Sequence, residues 1–384
     1  MLAKAAAMTP APVTVVRDLR LDLIRGLSLW LIFLDHIPSN IVSWLTIRNY
    51  GFSDAAEIFV FVSGYANAYF YGQVVRQGEF FRAAIPIWRR AWQLYAAQIL
   101  LFVLYVGLVV VIAGDRQHFF DQTNIARFLE QPGTMMLQVL LLTYKPLDLD
   151  PLPMYFVFLA VFPPVLWLLT RWPKLTLAAS VLLYFTARRF DWDLPAYPDG
   201  GWYFNPFAWQ LLFVLGAWCA LDTDGWLDRL LRSRAVMAIA GLYLLFSFLF
   251  VMTWHIEPLA FLVPKWFGAV IYPVDKGSLD QVRLWHFLAL AVIAVHFVPR
   301  DAKWLRLPAF RPMILCGQHS LEIFALGVLL SFVGHFATLE ISGSIWMQLL
   351  VSALGILAMV TMAAISSWGD SVSTPIKVIS PPPW

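Results

Sequence analysis

The residues that could do chemistry begin with Arg25 and His36, eleven positions apart in one apolar run. On a helix that spacing is about three turns, so both side chains point the same way, roughly 16 Å apart along the axis. An imidazole titrates near neutral pH and suits a general base, while a guanidinium suits bidentate contact with phosphate or carboxylate. Asp54 and Glu57 open the next apolar run at i, i+3 spacing and share a face. Because the first run ends just after His36, the four residues Asp35, His36, Asp54 and Glu57 are expected at one depth, as a catalytic cluster. Asp35 adjoins His36 and so points about 100° away. Asp54 or Glu57 is therefore the expected orienting carboxylate for the imidazole. The alternative is a charge network that pins the two helices, with Asp54 as an N-cap. An ion pair of that kind needs no imidazole, so His36 is read as functional.

Other polar residues rank behind these. Ser63-Gly64-Tyr65 is a small-residue step, and close helix packing is preferred to catalysis there. Arg89-Arg90 stands just before the third apolar run, where basic residues anchor a helix or meet an anion. Arg25, Arg89, Arg90 and Ser63 form the candidate donor-binding set. His319 and Glu322, three apart, could line the same cavity, and Asp275, Lys276 and His286 could bind a glycan or an acyl carboxylate. Each of these five is equally well read as a satisfied structural group. Cys219 and Cys316 have no partner spacing, so neither a disulfide framework nor a metal site is expected.

The elements that hold these residues must sit in lipid. Hydrophobic residues make up 60% and charged residues 13% of the 384, and mean hydropathy is +0.70. Soluble domains carry about a quarter charged residues, so the chain is an all-α polytopic membrane protein. A net charge of +3 spread over so much apolar mass excludes a nucleic-acid footprint, and 18 Trp, 30 Phe and 13 Tyr exclude a disordered chain. Ten runs approach the roughly 20 residues needed to cross hydrocarbon. They lie near 19–37, 54–75, 91–113, 152–170, 175–190, 205–221, 235–254, 284–299, 313–336 and 345–368. Residues 41–47 are expected flat at the interface, and 134–145 as a re-entrant or interfacial helix too short to cross. Most of the 27 Lys and Arg residues fall in alternate connections. By the positive-inside rule this puts both termini in the cytoplasm, with no cleavable signal. The outer loops 114–151, 191–204 and 255–283 are rich in Asp, Pro and aromatics, a composition suited to a vestibule for a polar ligand. No internal repeat and no second domain are evident, so residues 1–384 form one integral-membrane domain.

Arg25-Gly26-Leu27 followed by Asp35-His36 resembles the signature of the integral-membrane acyltransferase-3 superfamily, as do Phe61-Val62-Ser63-Gly64-Tyr65 and Arg89-Arg90. More closely, four blocks resemble the OpgC family. They are Arg17-Asp18-Leu19-Arg20-Leu21-Asp22, Gly51-Phe52-Ser53-Asp54-Ala55-Ala56-Glu57-Ile58-Phe59, Asp275-Lys276 with Arg283-Leu284-Trp285-His286-Phe287-Leu288, and Cys316-Gly317-Gln318-His319-Ser320-Leu321. The resemblance implies a ten-helix protein of the bacterial inner membrane. Such a protein transfers a succinyl group from cytoplasmic acyl-CoA to an osmoregulated periplasmic glucan, with membrane lipid as its surroundings and no permanently bound cofactor. His36 would deprotonate the acceptor hydroxyl, and Arg25 and Arg90 would hold the CoA phosphates, Arg25 also serving the acyl carboxylate. A covalent acyl-histidine, acetylation of another glycan, and a transporter or flippase for an anionic glycan or lipid remain the alternatives.

Overall fold

The computed structural model describes residues 18–146, 148–222, 225–299 and 302–373. Among these the fold is all-α, with a single isolated bridge between Pro195 and Gly201 in place of any strand. The principal helices are α1 (Leu19–Asp35), α2 (Ala55–Arg76), α3 (Phe80–Ala113), α4 (Pro132–Leu140), α5 (Pro151–Arg171) and α6 (Pro173–Phe190). They continue as α7 (Pro206–Ala220), α8 (Arg234–His255), α9 (Gln281–Phe297), α10 (Arg311–Gln318), α11 (Ser320–Phe336) and α12 (Ile345–Ser373). Local chemistry starts them. Asp18 caps α1 by accepting from the Arg20 amide, Asp54 and Glu57 make a reciprocal capping box on α2, and Asn205 caps α7 ahead of Pro206. Each removes orphan amides that would otherwise be stranded away from water.

The expected ten spans reduce to five helices that are long and apolar enough on their own to cross a membrane: Phe80–Ala113, Pro151–Arg171, Arg234–His255, Ser320–Ile341 and Ile345–Gly369. Pro206–Ala220 and Gln281–Phe297 are apolar but shorter. The physical reason is visible in α1, which has 17 residues and carries Arg20, Asp22, Arg25 and Asp35. In α2 likewise, Glu57, Ser63 and Asn67 replace apolar side chains. Two further differences concern helix ends. The third run begins at Phe80, not 91, so Arg89 and Arg90 lie within α3. The ninth is broken at His319, which caps both α10 and α11. Residues 132–140 form a nine-residue helix, and 41–49 form two 3₁₀ turns. The chain termini, predicted to be cytoplasmic, lie outside the described residues.

Glycine sets how close the site-bearing helices come. A Cβ on Gly26 would stand 1.8 Å from the Met313 carbonyl oxygen, and one on Gly317 would stand 1.8 Å from that of Asp22. Helices α1 and α10 therefore meet backbone to backbone. Gly64 and Gly216 do the same for α2 and α7, against the carbonyls of Phe213 and Phe61. Small residues permit this approach in an apolar medium, where dispersion and not water exclusion holds helices together.

Candidate active site

A cavity of about 1410 Å³ opens among the helices, walled by α1, α2, α3, α5 and α11 and by the loops that follow α1 and precede α9. Arg25, Asp35 and His36 reach it from α1 and its cap, Asp54 and Ser63 from α2, Arg89 and Arg90 from α3, and Lys276 from the loop before α9. Tyr71 of α2 also lines it, 17 residues beyond Asp54. At 1.5 Å per residue the cavity therefore extends about 25 Å along α2. His36, Asp54 and Lys276 mark one end; Arg89, Arg90 and Tyr71 mark the other.

At the first end, His36 is held by two contacts. Its Nδ1 lies 2.6 Å from the carbonyl oxygen of Ile32. A carbonyl can only accept, so Nδ1 carries the proton and Nε2 presents its lone pair to the cavity. Nε2 in turn lies 3.4 Å from Oδ1 of Asp148. Burial pushes the Asp148 carboxyl above its usual range, while the charges of His36, Lys276 and His335 oppose that rise. Asp148 also holds a φ of +69°, a left-handed conformation rare outside glycine although aspartate tolerates it better than most.

The carboxylates expected to orient His36 are engaged elsewhere. Glu57 is fully buried; its Oε1 accepts from Arg283 at 2.7 Å, and its Oε2 accepts from the Asp54 amide at 3.0 Å. Asp54 accepts from the Ala56 amide at 2.8 Å, while its Oδ2 lies 2.7 Å from Lys276 Nζ and 3.1 Å from Arg283. These four residues form a closed network of two acids and two bases. Asp35 turns its carboxylate to the Thr46 hydroxyl, 2.7 Å away.

The remaining candidates divide. His286 is buried, and its Nδ1 accepts from the Ser53 amide at 3.2 Å and lies 2.6 Å from the Ser53 hydroxyl. Its ring fills the space a Cβ on Gly51 would need, so it secures the turn ahead of Asp54 and does not line the cavity. His319 and Glu322 also lie off the lining, Glu322 being exposed. Ser63 donates to the Phe59 carbonyl at 2.8 Å, a helix-internal bond. Arg90 is bonded to Gln93 at 3.2 Å. Sequence reasoning missed Asp148 and Arg283. The paired aspartates 148 and 150 between Pro146 and Pro151 were the available signal for the first. Among the described residues no group of side chains could hold a metal ion.

Fold and site together define an all-helical protein with apolar helices fit for a membrane and an internal cavity with an acid–base pair at one end and arginines at the other. The chain belongs to the OpgC protein family, whose model matches residues 17–371. Membership implies acyltransferase activity. No curated protein and no solved structure matches it.

Proposed function

We propose that this protein carries a succinyl group from acyl-CoA to a hydroxyl of a glucan, working across the bacterial inner membrane with both termini cytoplasmic. The observation that carries the reading is the single cavity that joins the arginines at one end to the His36–Asp148 pair at the other. Arg25, Arg89 and Arg90 meet the CoA phosphates near the cytoplasmic mouth, since a guanidinium fork matches phosphate geometry. Leu29, Phe59 and Leu159, which line the cavity, give the thin arm of the donor an apolar path.

At the outer end the acceptor hydroxyl attacks the thioester carbonyl carbon while its proton passes to Nε2 of His36. Nδ1 stays tied to Ile32, and Asp148 stabilises the imidazolium that forms. When the C–S bond breaks, the Nε2 proton goes to the departing thiolate, leaving an ester and free CoA thiol. General base catalysis of this kind contributes about 10²- to 10⁴-fold. Purified protein, acyl-CoA and a labelled glucose oligosaccharide test the reading. Thiol release matched by acylated sugar is expected, and its absence from active-folded protein would refute it.

A further inference from the structure

If the thioester carbonyl is attacked beside His36, the free carboxylate of a succinyl group must lie close to the same place. Three C–C bonds put it no more than about 4 Å from the carbonyl carbon, and a charge-assisted hydrogen bond adds about 2.8 Å. Arg25 is eleven residues away on α1, about 16 Å along the axis. It is suited to the donor's phosphates, not to the acyl group.

Three cations line the cavity at the His36 end: Arg48, Lys276 and Arg283. Two are already neutralised. Lys276 Nζ is 2.7 Å from Asp54, and Arg283 stands 3.1 Å from Asp54 and 2.6 Å from Glu57. Arg48 differs: its recorded hydrogen bond is a weak one, 3.5 Å from NH1 to the backbone oxygen of Asp35. That contact sets the guanidinium one residue from His36. The segment bearing it is held in place, because Thr46 bonds Asp35 at 2.7 Å and Asn49 Nδ2 bonds the Ser43 carbonyl at 2.7 Å. Asp35 is close enough to feel the Arg48 charge, but its carboxylate accepts its hydrogen bond from Thr46 and forms no ion pair with the guanidinium.

We infer that Arg48 binds the distal carboxylate of a dicarboxylic acyl group and so makes the site prefer succinyl over a neutral acyl group. This rests on the acyl-transfer reading above. A neutral acyl group gains nothing from the guanidinium, whereas a carboxylate gains a charge-assisted hydrogen bond from it.

Succinyl-CoA and acetyl-CoA compete for one glucose oligosaccharide in the test, and products are weighed by mass spectrometry for wild type, Arg48→Gln, Arg48→Lys and Arg25→Gln. Arg48→Gln should lower the succinyl-to-acetyl product ratio about two- to fivefold, the scale of one solvent-exposed charge pair. Arg48→Lys should lower it less, and Arg25→Gln should slow both donors alike. A ratio unmoved by Arg48→Gln, or moved as far by Arg25→Gln, overturns the inference while leaving acyl transfer intact. A wild type that prefers acetyl-CoA removes the dicarboxylate and the inference with it. A wild type that consumes neither thioester refutes the acyl-transfer reading itself.

Discussion

His36 and Asp148 meet across 112 residues of chain, Nε2 to Oδ1 at 3.4 Å. The imidazole is gripped on its other side by the Ile32 carbonyl. The arrangement is that of a base whose tautomer is fixed by one neighbour and whose charged form is stabilised by another. His36→Ala should lower turnover by about 10²- to 10⁴-fold. Asp148→Asn should cost about 10²-fold or more with little change in acyl-CoA binding. Steady-state kinetics together with titration of a non-hydrolysable CoA analogue check both. Equal losses in affinity and rate at Asp148 would mean that it holds substrate.

The buried position of Glu57 predicts a role in stability. It has no exposure and sits against Arg283 at 2.6 Å, so Glu57→Gln leaves a buried guanidinium short of an anion. Removing one partner of such a pair costs about 3–5 kcal/mol. Thermal unfolding in detergent should show the loss plainly, with catalysis by the surviving folded fraction much less affected. A variant that melts like wild type yet turns over slowly would return Glu57 to the catalytic group.

Much of this was legible in the sequence. Apolar runs gave the all-helical class, since hydrophobic length is a local property, and Asp54 was legible as an N-cap, which the structure contains as half of a capping box with Glu57. The number of self-sufficient spans was not legible. Arg25 and Asp35 on α1 and Ser63 and Asn67 on α2 face a cavity shared among helices, and one helix's sequence does not say what its neighbours shield. Asp148 was hidden for a different reason. It reaches His36 through the fold of the loop between α4 and α5, and loop geometry leaves no periodicity to read. Proximity in sequence misled as well, because Glu57 and Asp54 arrive near His36 but find Arg283 and Lys276 first.

Gly26→Ala should destabilise by about 1–3 kcal/mol or more, because the new methyl group would stand 1.8 Å from the Met313 carbonyl. Gly107, in the C-terminal part of α3, has nothing within 4 Å of its Cβ position. There the same change should be neutral or stabilise by about 0.5–1 kcal/mol. Melting temperatures of the two variants side by side decide it, and a well-behaved Gly26→Ala would break the account of helix packing.

Lys145 offers a test by pH. Its ammonium is almost wholly buried, 3.6 Å from Asp150 and 3.8 Å above the Trp202 ring. Burial pushes its pKa from 10.5 down to about 8. Between those two values the unfolded chain still binds the proton that the folded chain has released, so raising pH favours the folded state. The melting temperature of wild type relative to Lys145→Met should therefore climb as pH rises from about 8 toward 10.5. A constant difference across that window would show that the amine is as well solvated folded as unfolded.

The two glycine crossings limit which parts of the molecule can move. Carriers that expose a site first to one side and then to the other do so by rolling one group of helices over another. Here α1 is dovetailed into α10 and α2 into α7, each with a carbonyl oxygen where a methyl group would otherwise stand. A roll of a few degrees would drive backbone into backbone. Each of these two pairs therefore moves as one unit, and a small change in the cavity's opening falls to the side chains and loops that line it, among them the turn that carries Asp148. Any larger motion of the wall is then a motion of helix pairs, since neither α1 nor α2 can leave its partner without opening a backbone contact.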